Sequence, residues 1–119
     1  MSKLEVKSTN VPEETRTFEK GKIELVKVGG TTIGRAVFQP GWQWSTHVKP
    51  IAKTNSCEAT HLWQEVSGTL HLRMDDGTER DVKAGEIALI PPGHDAWVVG
   101  NEPVVAFDFQ GLADYAKKK

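Results

Sequence analysis

Four histidines and one cysteine carry most of the metal-binding potential of this chain: His47, Cys57, His61, His71 and His94. Imidazole nitrogen and thiolate sulfur bind first-row divalent metals readily, provided the donors converge within about 2.0 to 2.3 Å of one point. Cys57 has no second cysteine to pair with, so an intrachain disulfide is impossible and the reducing cytoplasm is the expected compartment. Its thiol is open to two readings, a metal donor or a small buried hydrophobe. Local pattern removes one histidine from the set. In TLHLRM, residues 69 to 74, the apolar Leu70, Leu72 and Met74 alternate with His71 and Arg73, so a half-buried strand turns His71 to solvent.

The elements that must position the remaining donors are short and β-prone. IELVKV ends at Gly29-Gly30, TTIGRAVF at Pro40-Gly41, HLWQEV at Ser67-Gly68 and TLHLRM at Asp75-Asp76-Gly77. RDV, EIALI, AWVV and VVAFDF follow, again separated by turn residues. Strands at this spacing predict an all-β barrel or sandwich, with no competing helical period before the terminal LADYAKKK. We divide the chain into an N-terminal arm over residues 1–20, a barrel over 21–110, and a tail or short helix over 111–119. One domain of 119 residues buries about two thirds of the surface its unfolded chain exposes. With 15 basic against 16 acidic residues the net charge is -1, which argues against nucleic acid or an anionic membrane and leaves a small-molecule partner as the expectation. No stretch reaches the ~18 apolar residues of a membrane span, and the start MSKLEVKSTN has no signal-peptide core.

Two segments resemble the cupin superfamily. GEIALIPPG places Gly85, Pro91 and Gly93 at the spacing that opens the second cupin motif, and His94 stands two residues before the family's metal-binding histidine, where this chain has Ala96. Gly41 and His47 match the opening of the first motif and Gly68 its close. Counting back from Gly68 puts His61 where the family has glutamate, while Lys49 occupies the place of the second histidine. The stretch PIAKTNSCEAT between Lys49 and His61 is longer than the family loop and contains Cys57. The resemblance implies an all-β double-stranded β-helix, or jelly-roll cupin barrel, with a metal or small molecule in its mouth. The placement of the donors in such a domain makes His47, His61 and His94, with Cys57 as a candidate fourth donor, the expected divalent metal site, and Fe, Ni, Cu, Mn or Zn the ion.

Parity assigns the neighbours. Trp63 shares a face with His61 and is expected to wall the pocket. Glu65 shares it too, as a candidate general base, unless a bulge before Ser67-Gly68 turns it outward. Lys49 is a candidate partner for a substrate carboxylate. Trp42 and Trp44 have the opposite parity to His47, which predicts an outward aromatic pair and a homodimer contact, with Trp97 on the same outer layer. These readings favour a metal-dependent, dioxygenase-like enzyme acting on a small organic molecule. The competing readings are a non-catalytic module that binds a metabolite and a structural dimer whose pocket is filled by aromatic side chains.

Overall fold

The computed structural model describes residues 3–112 and 115. Among these residues the chain runs through β1 (Glu14–Phe18), β2 (Gly21–Val28) and β3 (Thr31–Phe38), then two single-turn helices, α1 (Trp44–His47) and α2 (Lys49–Ala52). It continues through β4 (His61–Ser67), β5 (Thr69–Met74), β6 (Glu79–Val82), β7 (Ile87–Ile90), β8 (His94–Val99) and β9 (Val104–Asp108). Every run with β character in the sequence became a strand. β1, within the expected arm, is an edge strand paired with β2 from Glu14↔Leu25 to Phe18↔Gly21. Most of the expected tail, residues 113, 114 and 116–119, lies outside the described residues.

The strands form two antiparallel sheets, one in the order β1-β2-β3-β9-β4-β7 and one in the order β6-β5-β8. This is the layout of a double-stranded β-helix, but among the described residues neither sheet closes into the barrel the sequence suggested. A groove of about 460 Å³ opens where β6 and β7 stand at the free ends of their sheets. Period-2 alternation decides what lies between the sheets. His61, Trp63 and Glu65 of β4, His94, Ala96 and Val98 of β8, and Val104, Ala106 and Asp108 of β9 are all buried. His71 lies on the outer face of β5, as alternation required, where its ring packs 4.6 Å from that of the half-buried Trp97 and its nitrogens meet Asp81 and Glu79.

Trp42 and Trp44 overturn the expected outward pair, since they are only 1% and 2% exposed. Parity failed because residues 42–47 are not a strand. Gln43 makes one isolated bridge to Trp97, and α1 then begins, with the Ser45 N–H donating to Asp95 at 3.0 Å. Trp42 instead stacks on Phe38 with centroids 3.8 Å apart, and Phe38 stacks on Trp63 at 6.1 Å. This aromatic column fills the middle of the core, and truncating one of its tryptophans to alanine should cost about 3 to 5 kcal/mol. The homodimer face proposed for Trp42 and Trp44 therefore does not exist.

Candidate metal centre

Three of the four expected donors meet at one end of the core. A ligand atom from each of Cys57, His61 and His94 lies within 4.8 Å of those of the other two, and all three residues are buried. Each arrives by a different route. His61 opens β4 with its side chain inward, and His94 opens β8 across the sandwich, their rings 5.3 Å apart and edge-on. Cys57 comes from the long segment after α2, which is stitched to the start of β8 by backbone bonds. The Cys57 N–H donates to the His94 carbonyl at 2.8 Å, and the Gly93 N–H donates to the Cys57 carbonyl at 2.7 Å. The segment that disrupts the first cupin motif thus delivers the thiol.

The histidines are held in one orientation. His61 Nδ1 lies 2.5 Å from the Asp108 carboxylate, and His94 Nδ1 donates to the Pro91 carbonyl at 2.7 Å. With Nδ1 protonated on each ring, Nε2 keeps the free lone pair, and His61 Nε2 points at Cys57 Sγ across 3.6 Å. That separation matches the edge of a tetrahedron with bonds of about 2.0 to 2.3 Å. Carboxylate and carbonyl acceptors behind ligating histidines are the usual support of a metal site. Asp108 Oδ1 also accepts the N–H groups of Leu62 and Gln110, so the carboxylate is fixed in turn. Gly111, at φ +91, lets the chain pass over this pair. A Cβ there would collide with the Thr60 carbonyl and crowd His61 Nδ1 at 2.9 Å.

Burial sets the protonation of the donors. It pushes the Cys57 thiol up to about 11 and holds the His94 imidazole below its ordinary value, so without a metal the site carries a neutral thiol and a neutral His94. The order Cys57, His61, Asp108 also has the outline of a nucleophile, base and orienter. Two magnitudes decide against acyl transfer. A thiol pushed to about 11 is a poor nucleophile at neutral pH, and the cavity lined by His61, His94, Trp63 and Tyr115 holds only about 20 Å³, room for roughly one water. A metal removes the first obstacle because coordination itself deprotonates a thiol.

His47 is not in this cluster. It ends α1 rather than a strand, its Nδ1 accepts the Gln43 N–H at 3.1 Å, and Nε2 lies 3.9 Å from Glu19. Lys49 starts α2, half-buried, and does not line the cavity. Trp63 lines it and donates its indole N–H to Glu65 Oε1 at 2.7 Å. Glu65 is 1% exposed: the inward alternation of β4 carries through it, and the register shift against β9 falls only after it, between Glu65 and Ser67. Burial raises its carboxyl to about 7, and Glu65 Oε2 and Trp42 Nε1 are buried without hydrogen-bond partners among the described residues. Asp95, next to His94 in the sequence, accepts from the Gln43 side-chain amide and the Ser45 N–H.

Sequence reasoning missed Asp108 and Tyr115. The signal for Asp108 was legible: it continues the inward parity of Val104 and Ala106, and a carboxylate at an inward position needs a partner. Tyr115 is buried with its ring 5.7 Å from that of His61, and the Arg16 guanidinium donates to its carbonyl at 2.8 Å. No local pattern announces that contact.

No protein-family model matches the chain, and neither does any curated protein. Solved structures do. A double-stranded β-helix protein from Klebsiella pneumoniae is 17% identical with a TM-score of 0.57, covering 95% of this chain and 94% of that one. A cupin-like protein from Thermotoga maritima is 18% identical with a TM-score of 0.56, covering 81% and 72%. A protein of unknown function from Acinetobacter is 12% identical with a TM-score of 0.60, covering 82% and 90%. At these identities the likeness shows the fold alone, and that fold is cupin-like.

Proposed function

We propose that this protein binds one first-row divalent metal through Cys57, His61 and His94. The observation that carries the reading is the meeting of two oriented imidazoles and a buried thiol with ligand atoms within 4.8 Å of one another, His61 Nε2 facing Cys57 Sγ and Asp108 and Pro91 fixing the rings from behind. One thiolate with two imidazoles is softer than the three-histidine set read from sequence and favours zinc, copper or iron over manganese. Three protein donors leave a fourth position for a water-sized ligand, in keeping with the volume of about 20 Å³ beside the histidines.

That volume weighs against turnover of an organic molecule in this conformation, so the metal-binding module stands ahead of the dioxygenase-like enzyme. The enzyme reading keeps one supporting observation, the buried Glu65 carboxyl near 7, a value suited to proton transfer at neutral pH. It requires the aromatic wall of Trp63 and Tyr115 to make room for substrate. The small cavity also leaves the purely structural reading a definite consequence, a folded protein that takes up no metal.

Elemental analysis of tag-free protein beside His61→Ala separates these readings. About one equivalent of metal in the wild type and little in the variant supports the site. Folded wild type that stays metal-free, even after anaerobic loading, rejects it.

A further inference from the structure

The two sheets have four free edges, and three are protected by ordinary devices. β1 carries Glu14 and Arg16, and β6 carries Glu79, Arg80 and Asp81. β8 is covered by isolated bridges from Gln43 to Trp97 and from Cys57 to His94. β7 reads Ile-Ala-Leu-Ile with no charge, pairs among the described residues only with β4, and leaves Ile87 and Leu89 70% and 68% exposed. Opposite Leu89 on the outer face stands Leu62, itself 40% exposed. An apolar edge of this kind is a template for another strand.

Among the described residues, the stretch ahead of β1 has a matching pattern. Residues 3–7, Lys-Leu-Glu-Val-Lys, alternate charged and apolar side chains, and Leu4 and Val6 are 93% and 83% exposed. Their own charge is net +1, from Lys3 and Lys7 against Glu5. The groove beside β7 is lined by Asp76, Asp81 and Glu86 against Arg80, a net of -2. Lys7 pairs with Glu13, and Asp81 with His71, at the surface, where such pairs are weak enough to exchange. The arm cannot reach β7 of its own chain as it is held. Arg35 binds Thr9 and Asn10, and Glu5 accepts the Gly29 N–H, which fixes the arm at the β1–β3 end of the sheet while β7 closes the other end.

We infer that residues 3–7 of one copy add as a strand to the free edge of β7 in a second copy, Leu4 and Val6 covering Ile87 and Leu89. The contact joins different surfaces, so a closed dimer exchanges two arms. Sedimentation velocity of the full chain tests it, using Leu4→Asp/Val6→Asp on the arm and Leu89→Lys on the edge. All three side chains are exposed, so circular dichroism should stay unchanged. The wild type should be a dimer and each variant a monomer. Mixing the two variants restores one of the two arm–edge contacts and should give a heterodimer weaker than the wild-type dimer, because the arm variant keeps an intact edge and the edge variant an intact arm. A monomeric wild type, or either variant that remains dimeric by itself, would overturn the inference.

Discussion

The two ends of β4 place polar side chains in the same core four residues apart, and the surroundings treat them differently. At the His61 end every imidazole nitrogen has a task, with Nδ1 on Asp108 and Nε2 facing Cys57. At the Glu65 end one carboxyl oxygen accepts from Trp63, while the other, like Trp42 Nε1, has no partner among the described residues. A buried polar cluster that is fully oriented is prepared for a ligand, whereas an incompletely satisfied carboxyl avoids its charge by keeping its proton. The first end is organised for coordination and the second for neutrality.

The largest expected effect breaks the first end outright. Cys57→Ala or His61→Ala should reduce bound metal from about one equivalent to near none, measured by elemental analysis, since two remaining donors cannot hold a first-row ion tightly.

The next prediction concerns the second end. Glu65 is raised from 4.5 to about 7 by burial, so the folded protein keeps a proton that the unfolded chain has lost. Stability from this group is complete below pH 4.5 and is lost as pH rises to about 7, a difference of about 3 kcal/mol. Glu65→Gln should remove that fall, so the variant gains on the wild type between pH 5 and 8 in denaturant melts. The lowered His94 value acts in the opposite direction, losing stability on acidification, and is common to both proteins. A wild-type-minus-variant difference that does not change with pH would show that Glu65 is ionised in the fold.

Asp108→Asn sharpens the comparison more gently. The amide can still accept from one ring nitrogen but no longer supplies a charge, so metal affinity should fall about 10- to 100-fold in chelator competition with the fold kept. The smallest effect belongs to His47. His47→Ala should leave metal affinity within about two-fold, because its ring serves Gln43 at the α1 turn.

Much of the fold was legible because strand signals are local. Each apolar alternation named its own inward face, and His61, Trp63, Glu65, Leu70 and Leu72 all followed it. His47, Trp42 and Trp44 were misread because parity was carried into a segment where Asp95, fifty residues away, organises a helical turn. The site was half legible. Motif register pointed to His61 and His94, but the meeting of Cys57 with them depends on backbone pairing of a long loop with β8. Barrel closure also failed as an expectation, because whether β6 and β7 join is decided by the relative placement of two sheets and not by either strand's sequence.

The most direct test of the central claim is a cobalt(II) titration of metal-free protein followed by absorption spectroscopy. Saturation near one equivalent, with intense tetrahedral d–d bands and a thiolate charge-transfer band that disappears in Cys57→Ser, is the predicted result. A weak, non-saturating spectrum without charge transfer, the same in wild type and Cys57→Ser, would contradict it.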